Sequence, residues 1–285
     1  MTSTTTQPRV WMITGAARGI GLRIVEAALA AGDAVVATSR DVSALRERFA
    51  GNAALLPVAL DVTDEKQAAA AVASALQRFG RVDVLVNNAG FGLLGAVEEA
   101  SADEVRRLYE TNVFGLLNVT RAVLPAMRER RQGRVINISS LGGLRSGPGF
   151  GVYCSTKFAV EGLSEALRAE LAPLGVHVTI VEPGYFRTEF LDGTSLTVSP
   201  RILADYATTS GKTREAAVRI NLNQPGDPKR LAQAVLALAA SATPPLRLPL
   251  GTDTLQVIAD RNAYAAAETA AWRELSASTD FPAGE

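Results

Sequence analysis

The chain has 285 residues, of which 47% are hydrophobic, and carries 29 basic and 29 acidic residues for a formal net charge of zero. That length and apolar fraction suffice for a large core within a single α/β domain, and the balanced charge gives no general attraction to nucleic acid or to an anionic membrane surface. One cysteine, Cys154, excludes an intrachain disulfide framework and suits a reducing compartment, and one histidine, His177, argues against a metal site built from histidines.

Residues 1–7 lack the basic and apolar regions of a secretory signal and read as a short disordered lead-in. Residues 8–285 read as one domain, with no internal repeat and no interdomain linker. Short apolar runs alternate with longer helical patterns. The runs at 10–14, 34–39, 54–60, 82–87, 134–139 and 177–182 are rich in Val, Ile and Leu, and they predict strands of a parallel sheet covered on both faces. Helical patterns occupy 19–31, 64–79, 102–130 and 154–173, the third opened by the capping residues Ser101 and Asp103. Repeated β-α alternation predicts a doubly wound, mostly parallel α/β sheet with right-handed crossovers. After Pro183-Gly184 the pattern blurs. Residues 187–225 are polar and rich in Thr, Ser and Gly without a clear strand, which predicts a lid or binding loop with some helix of its own. A helix at 228–240, a short strand at 246–250 and an Ala-rich helix at 252–275 follow. No apolar run reaches about 18–20 residues, so no membrane span is expected, and the expected location is cytoplasmic.

The first strand runs into Thr14-Gly15-Ala16-Ala17-Arg18-Gly19-Ile20-Gly21, which opens a helix. Glycines at Gly15, Gly19 and Gly21 let the backbone turn tightly and approach a pyrophosphate, while the helix N-terminus offers free N–H groups and partial positive charge. The spacing differs from the usual dinucleotide fingerprint, G-x-G-x-x-G. The second strand ends at Ser39-Arg40, where an acid would hold the adenosine ribose 2′-hydroxyl. Arg40 and Arg18 suit a 2′-phosphate instead, because guanidinium groups bind phosphate bidentately. NADP(H) is therefore expected in preference to NAD(H), with Asp41 as the neighbour that could oppose it. Asp61-Val62 and Asn88-Ala89-Gly90 end the third and fourth strands, where ligands bind in open α/β sheets. Asp61 is placed to accept from the adenine amino group, and Ala89-Gly90 presents a small surface beside the adenosine.

Tyr153 and Lys157 fall four residues apart on one helix face, and Ser140 ends the fifth strand. An unperturbed phenol has a pKa of about 10. A nearby ammonium favours the phenolate, so the Lys157 charge is expected to lower the Tyr153 pKa. Tyr153 then protonates a forming alkoxide, or deprotonates an alcohol in reverse. Ser140 is placed to hydrogen-bond the substrate oxygen. Cys154 and His177 read as packed structural residues, Trp11 and Trp272 as core or interface residues, and the run from Glu129 to Arg134 as a solvated helix end.

With these pieces together the chain resembles the short-chain dehydrogenase/reductase family, in its short single-domain, NADP-preferring branch. The matching motifs are Thr14-Gly15-x3-Gly19-x-Gly21, Asn87-Asn88-Ala89-Gly90, Asn112, Ser140, Tyr153-x3-Lys157 and Pro183-Gly184-x3-Thr188. The resemblance implies a seven-stranded Rossmann-type sheet. It implies that Lys157 also binds the nicotinamide ribose, that Asn112 positions a water in a proton relay behind Lys157, and that Ile20, Asn88, Phe186 and Thr188 contact the cofactor. The family spacing selects Ser140 over Ser139. The resemblance also implies that the helices at 102–130 and 154–173 pack against their copies in a homodimer or homotetramer. Leu116, Leu117, Val119, Leu163, Leu167 and Leu171 are candidates for that second buried face.

The reading is an NADPH-dependent carbonyl reductase or alcohol dehydrogenase acting on a small ketone, aldehyde or secondary alcohol of hydrophobic character, with no metal. Tyr185 and Phe190, with Ser140 and Tyr153, are the substrate-facing candidates, and Gly92–Leu94 and Leu141–Leu144 are candidate walls. Two other readings share parts of the kit. A sugar-nucleotide epimerase or dehydratase also carries Tyr-x3-Lys, but with a larger C-terminal domain and different glycine spacing. A non-catalytic NADP(H)-binding redox sensor would have no need of an acid–base tyrosine.

Overall fold

The computed structural model describes residues 7–281. Residues 1–6 of the expected disordered lead and residues 282–285 lie outside them. In chain order the elements are β1 (Val10–Ile13), α1 (Gly19–Ala30), β2 (Ala34–Ser39), α2 (Ser43–Arg48), β3 (Leu55–Ala59), α3 (Glu65–Phe79), β4 (Val84–Asn87), β5 (Gly92–Leu94), α4 (Ala102–Tyr109), α5 (Leu116–Glu129), β6 (Gly133–Ile138), α6 (Gly151–Leu171), β7 (Val176–Pro183), β8 (Leu196–Val198), α7 (Lys212–Ile220), α8 (Pro228–Ala240), β9 (Arg247–Leu250), α9 (Thr252–Ala271) and α10 (Arg273–Ala277).

Seven strands form one sheet in the order β3-β2-β1-β4-β6-β7-β9, and every pairing is parallel. This is the expected doubly wound, seven-stranded Rossmann-type sheet. The chain works outward from β1 to β3, then returns through α3 to β4 on the other side of β1. The loops leaving β1 and β4 therefore diverge, and a crevice opens between them at the carboxyl ends of the strands. Apolar residues cover both faces. Ile24, Val25 and Ala28 of α1 meet Val235 and Leu238 of α8 over one face. Val72 and Ala75 of α3, Val119, Val123 and Met127 of α5, and Leu171 cover the other.

The predicted helix at 102–130 forms over residues 102–129, with its middle turn widened. Ser101 caps α4 in a reciprocal capping box with Glu104. The backbone then widens into a π turn over Glu110–Gly115 before α5 begins. A side chain at Gly115 would place its Cβ 2.5 Å from Val62, so only glycine fits that approach. Residues 187–225 do contain a strand. β8 pairs in parallel with β5 as a separate two-stranded sheet. Three residues per strand are too few to display a period, which is why both were invisible in sequence. The same segment holds the expected helix, α7. The six-residue α2 was also unforeseen. The predicted helix at 252–275 breaks at Trp272, and residues 259–281 are exposed.

The two tryptophans part company. Trp11 is fully buried, its indole N–H donating to Asp33 at 2.8 Å, whereas Trp272 is 65% exposed and belongs to no core. Leu116, Val119 and Leu171, candidates for an intersubunit face, are buried within the chain itself. The other candidates, Leu117, Leu163 and Leu167, are half-buried, and Phe114 in the π turn and Phe158 on α6 are exposed. Among the described residues, no helix is long and apolar enough to cross a membrane.

Candidate active site

A cavity of about 1670 Å³ follows the crevice from Arg40 and Asp61, over Gly15 to Ile20, to Ser140, Tyr153 and Lys157. Its floor is set by close backbone approaches. Gly15 (φ +62°) and Gly19 (φ +55°) adopt the left-handed conformation that favours glycine. A Cβ on Gly15 would stand 2.9 Å from the Ala89 Cα, and one on Gly21 would stand 2.5 Å from Asn88 Nδ2. Asn88 accounts for this crowding. Its amide donates to the carbonyls of Thr14 (2.9 Å) and Gly15 (3.1 Å). Asn88 thus shapes the glycine turn from below, in addition to lining the cavity. A glycine-lined groove beside the N-terminus of a 12-residue helix fits a dinucleotide pyrophosphate.

At the end of the cavity where β2 finishes, Arg40 is exposed and faces the cavity. Asp41 turns its carboxylate to the Ser43 N–H at 2.8 Å, at the start of α2. Arg18 donates to the carbonyl of Thr194 in the segment that follows β7. It thereby bridges the glycine turn to that segment. Asp61 accepts the Thr63 N–H and hydroxyl at 3.0 and 2.8 Å, while Val62 is buried against the π turn. Pro183 ends β7, and Gly184 is pressed against the Asp253 carboxylate, which also accepts the Tyr185 N–H at 2.6 Å. Phe186 packs over Gly226. The Thr188 hydroxyl accepts the Phe190 N–H at 3.3 Å, and its methyl faces Gly19.

At the other end, Ser140, Tyr153 and Lys157 converge. The Ser140 oxygen accepts the Gly142 N–H at 3.0 Å, and Ser140 and Tyr153 both line the cavity here. The Lys157 ammonium lies 5.8 Å from the centre of the Tyr153 ring and donates to the Ile138 carbonyl at 2.9 Å. Asn112 sits in the π turn, a distortion that often marks functional sites. Its oxygen accepts the Phe91 N–H at 3.1 Å, and its amide donates to the Phe91 carbonyl (3.0 Å) and to Thr156 (3.1 Å). Gly90 lies between Asn112 and Lys157, where a Cβ would come within 3.1 Å of the one and 3.9 Å of the other.

The electrostatics differ from expectation at Tyr153. Burial pushes its phenol above the ordinary value, Ser140 pulls it down, and Cys154 and Tyr185 push it up. Burial of the phenol outweighs the expected effect of the ammonium, and Lys157 is desolvated as well. Its pKa is drawn down to about 8 by burial, with Glu161 acting in the opposite sense. The phenol is therefore protonated near neutral pH and poised as a donor.

The rest of the chamber is apolar. Phe150 and Phe190 flank the Tyr153 ring at 6.0 and 5.7 Å between centroids. Leu93 and Cys154 pack below it, and Leu196 and Phe190 close over Gly92. Tyr185 is half-exposed at the rim. Sequence reasoning missed Asp253, Phe150 and a buried acidic pair, Glu161 and Glu182. Asp253 and Phe150 stand in helix-start contexts that carry no motif. Among the described residues no group of three or more His, Cys, Asp or Glu side chains is arranged to hold a metal.

Comparison with known proteins converges on one family. The family model for short chain dehydrogenases matches residues 9–198. Oxidoreductase BOA17 of Botryotinia fuckeliana is 39% identical over 94% of this chain and 98% of its own length. The 3-ketodihydrosphingosine reductase of Bacteroides thetaiotaomicron is 38% identical over 86% of this chain and 88% of its own. Among solved structures, a short-chain dehydrogenase from Streptomyces avermitilis superposes with a TM-score of 0.90 at 44% identity, covering 96% of this chain and all of its own. A Burkholderia phymatum member in complex with NAD has a TM-score of 0.80 at 26% identity, over 92% of this chain and 95% of its own. ElxO with NADP bound has a TM-score of 0.72 at 27% identity, over 88% of this chain and all of its own.

Proposed function

The chain belongs to the short-chain dehydrogenase/reductase family of oxidoreductases, and from that premise we propose that it is an NADPH-dependent carbonyl reductase or alcohol dehydrogenase. The observation that carries the reading is the meeting of Ser140, Tyr153 and Lys157 at one end of a cleft whose other end presents Arg40.

A nicotinamide cofactor held in this cleft would supply the hydride. The residues of this chain do the rest. Gly15, Gly19, Ile20 and Gly21 seat the pyrophosphate. Arg40 takes the 2′-phosphate, and Arg18 joins it on release from Thr194. Asp61, Val62, Ala89 and Gly90 border the adenosine, and Pro183, Gly184, Phe186 and Thr188 border the nicotinamide. Ser140 donates to the carbonyl oxygen. Tyr153 passes its phenolic proton to that oxygen as the carbon is reduced, and takes one back in the reverse direction. Lys157 stabilises the resulting phenolate and binds the ribose, and Asn112 holds the water that returns the proton.

The walls formed by Leu93, Phe150, Tyr185, Phe190 and Leu196 favour a ketone or aldehyde on a hydrophobic body. The resemblance to a 3-ketodihydrosphingosine reductase supports the same class. A second copy of the chain is the proposed partner, associating through the side of α5 and α6 that exposes Phe114 and Phe158. The test is NADPH oxidation across a panel of carbonyls, repeated with Tyr153→Phe. Turnover on the best substrate should fall roughly 10²–10⁴-fold, the scale of a lost acid–base group, with NADPH binding retained. Full turnover in the variant refutes the reading.

A further inference from the structure

Beneath the proposed catalytic residues lies a buried charged cluster that the reaction as described does not use. Tyr153, Lys157 and Glu161 succeed one another at four-residue intervals on one face of α6, and all three are buried. Glu161 faces Glu182, a residue of β7 whose side chain is completely inaccessible. Arg247 of β9 reaches both, with its Nε 3.1 Å from Glu161 and 3.2 Å from Glu182. That single N–H donates to Glu161. One Glu161 oxygen, both Glu182 oxygens and the Ser139 hydroxyl have no hydrogen-bond partner of good geometry. Two carboxyl groups buried face to face, with one donor between them, are satisfied when one carries a proton and shares it with the other.

The cluster also touches the opposite wall of the site. A Cβ on Gly143, in the turn that begins at Ser140, would lie 2.6 Å from the Ser139 hydroxyl and 2.9 Å from Glu161. The turn carrying Ser140 is thus seated on the Glu161 carboxylate. Glu161 borders Lys157 through the helix and the Ser140 turn through Gly143. The remaining charged groups near the pair are Glu165 on α6, which shares Arg247, and Arg261 on α9.

Resting on the functional reading above, we propose that Glu161, held by Arg247 and by a proton shared with Glu182, is a positioning residue that keeps Lys157 charged and the Ser140 turn in place. An ammonium buried this deeply loses its proton readily unless a carboxylate faces it. Glu161 is the acidic neighbour that raises the Lys157 pKa against the burial that lowers it. Glu182 is the better proton carrier of the pair, with a pKa pushed up to about 7 by burial and by Glu161. Burial raises the Glu161 carboxyl as well, but Ser139 and Arg247 pull it down, so Glu161 is the member of the pair that stays ionised beside Lys157.

The test follows Lys157 directly. The sequence has lysines only at Lys66, Lys157, Lys212 and Lys229, so protein labelled with ¹³C at the lysine Cε gives a short spectrum, with Lys157 assigned by Lys157→Arg. In Glu161→Gln, the Lys157 titration midpoint should fall by about one pH unit or more, the usual effect of losing a close opposite charge. The alkaline limb of kcat/KM should move down with it. Glu161→Asp keeps the charge but withdraws it by one methylene, and should lower the midpoint by a smaller step. It decides the matter if Glu161→Gln does not fold. A midpoint unchanged or raised in a folded variant overturns the proposal. Tyr153→Phe in the same activity assay separates the two ideas. Full turnover there refutes the functional reading, whereas the lysine titration still reports whether Glu161 controls Lys157.

Discussion

The Phe190 ring lies 5.7 Å from the Tyr153 ring, centroid to centroid, and is tilted by 55° to it. The segment after β7 therefore contributes a wall in direct contact with the proposed proton donor. Tilted aromatic pairs of this kind contribute about 0.5–1.5 kcal/mol beyond the area they bury. Phe190→Ala should lower kcat/KM for an apolar carbonyl by roughly 2–10-fold from that loss, chiefly through KM. Steady-state kinetics on the best substrate from a carbonyl panel measure it. A rise in kcat/KM would show that Phe190 obstructs the substrate.

Arg40 and Asp41 sit side by side where β2 ends, with opposite signs and different surroundings. Asp41 directs its carboxylate to the Ser43 N–H, whereas Arg40 is exposed on the cavity wall. The expected parent preference is NADPH over NADH in kcat/KM. Arg40→Asp should reverse it, because a carboxylate repels the 2′-phosphate and accepts from a ribose hydroxyl. Measuring both cofactors with parent and variant checks the sign. A parent that prefers NADH refutes the assignment.

The parts of this protein legible in sequence are those encoded locally. The runs that became β1, β2, β4, β6 and β7 announced themselves by composition. Gly15, Gly19 and Gly21 announced a turn by spacing, and Tyr153 and Lys157 shared a helix face by spacing alone. What stayed hidden depends on distant pairing. Glu161 and Arg247 are separated by 86 positions, and Glu99 and Arg214 by 115. Neither pair sits in a motif, so nothing in the sequence singles out either carboxylate. The Tyr153 environment failed for a related reason. Helical spacing places Lys157 nearby but cannot show that Lys157 is itself desolvated, and desolvation sets the direction of the Tyr153 shift.

Phe114 is 47% and Phe158 is 42% exposed, on the π turn before α5 and on α6. Leu116 and Leu171 are buried inside the chain, whereas Leu117, Leu163 and Leu167 are half-buried and, with these phenylalanines, leave apolar surface on α5 and α6. An isologous contact there gives a two-fold dimer. Light scattering at micromolar concentration should report a multiple of the 30.0 kDa chain. Phe114→Asp with Phe158→Asp should shift it to the single-chain mass. A single-chain mass for the parent would show that this face stays solvated.

Two buried glutamates give the stability of the fold opposite pH dependences. Glu99 accepts from Arg214 and from the Leu203 and Ala96 N–H groups, and these hold its pKa down to about 2. A carboxyl depressed from 4.5 contributes stability that is present above its unfolded value and is lost as the pH falls towards 2. Glu182 behaves in reverse. Burial and the Glu161 charge raise it from 4.5 to about 7, so the folded state binds its proton more tightly than the unfolded chain does. Its contribution is complete below pH 4.5 and disappears as the pH rises through about 7. The displacement corresponds to at most ~3 kcal/mol between those limits. In urea unfolding, the stability difference between the parent and Glu182→Gln should therefore move against the parent as the pH rises from 4.5 to 7. Glu182→Gln keeps a neutral hydrogen-bonding group in place of the protonated acid and so lacks that dependence. Arg214→Ala should lower stability across the same range, because it leaves the Glu99 carboxylate buried without its cation. A Glu182→Gln curve parallel to the parent's would mean that the Glu161–Glu182 pair holds no shared proton.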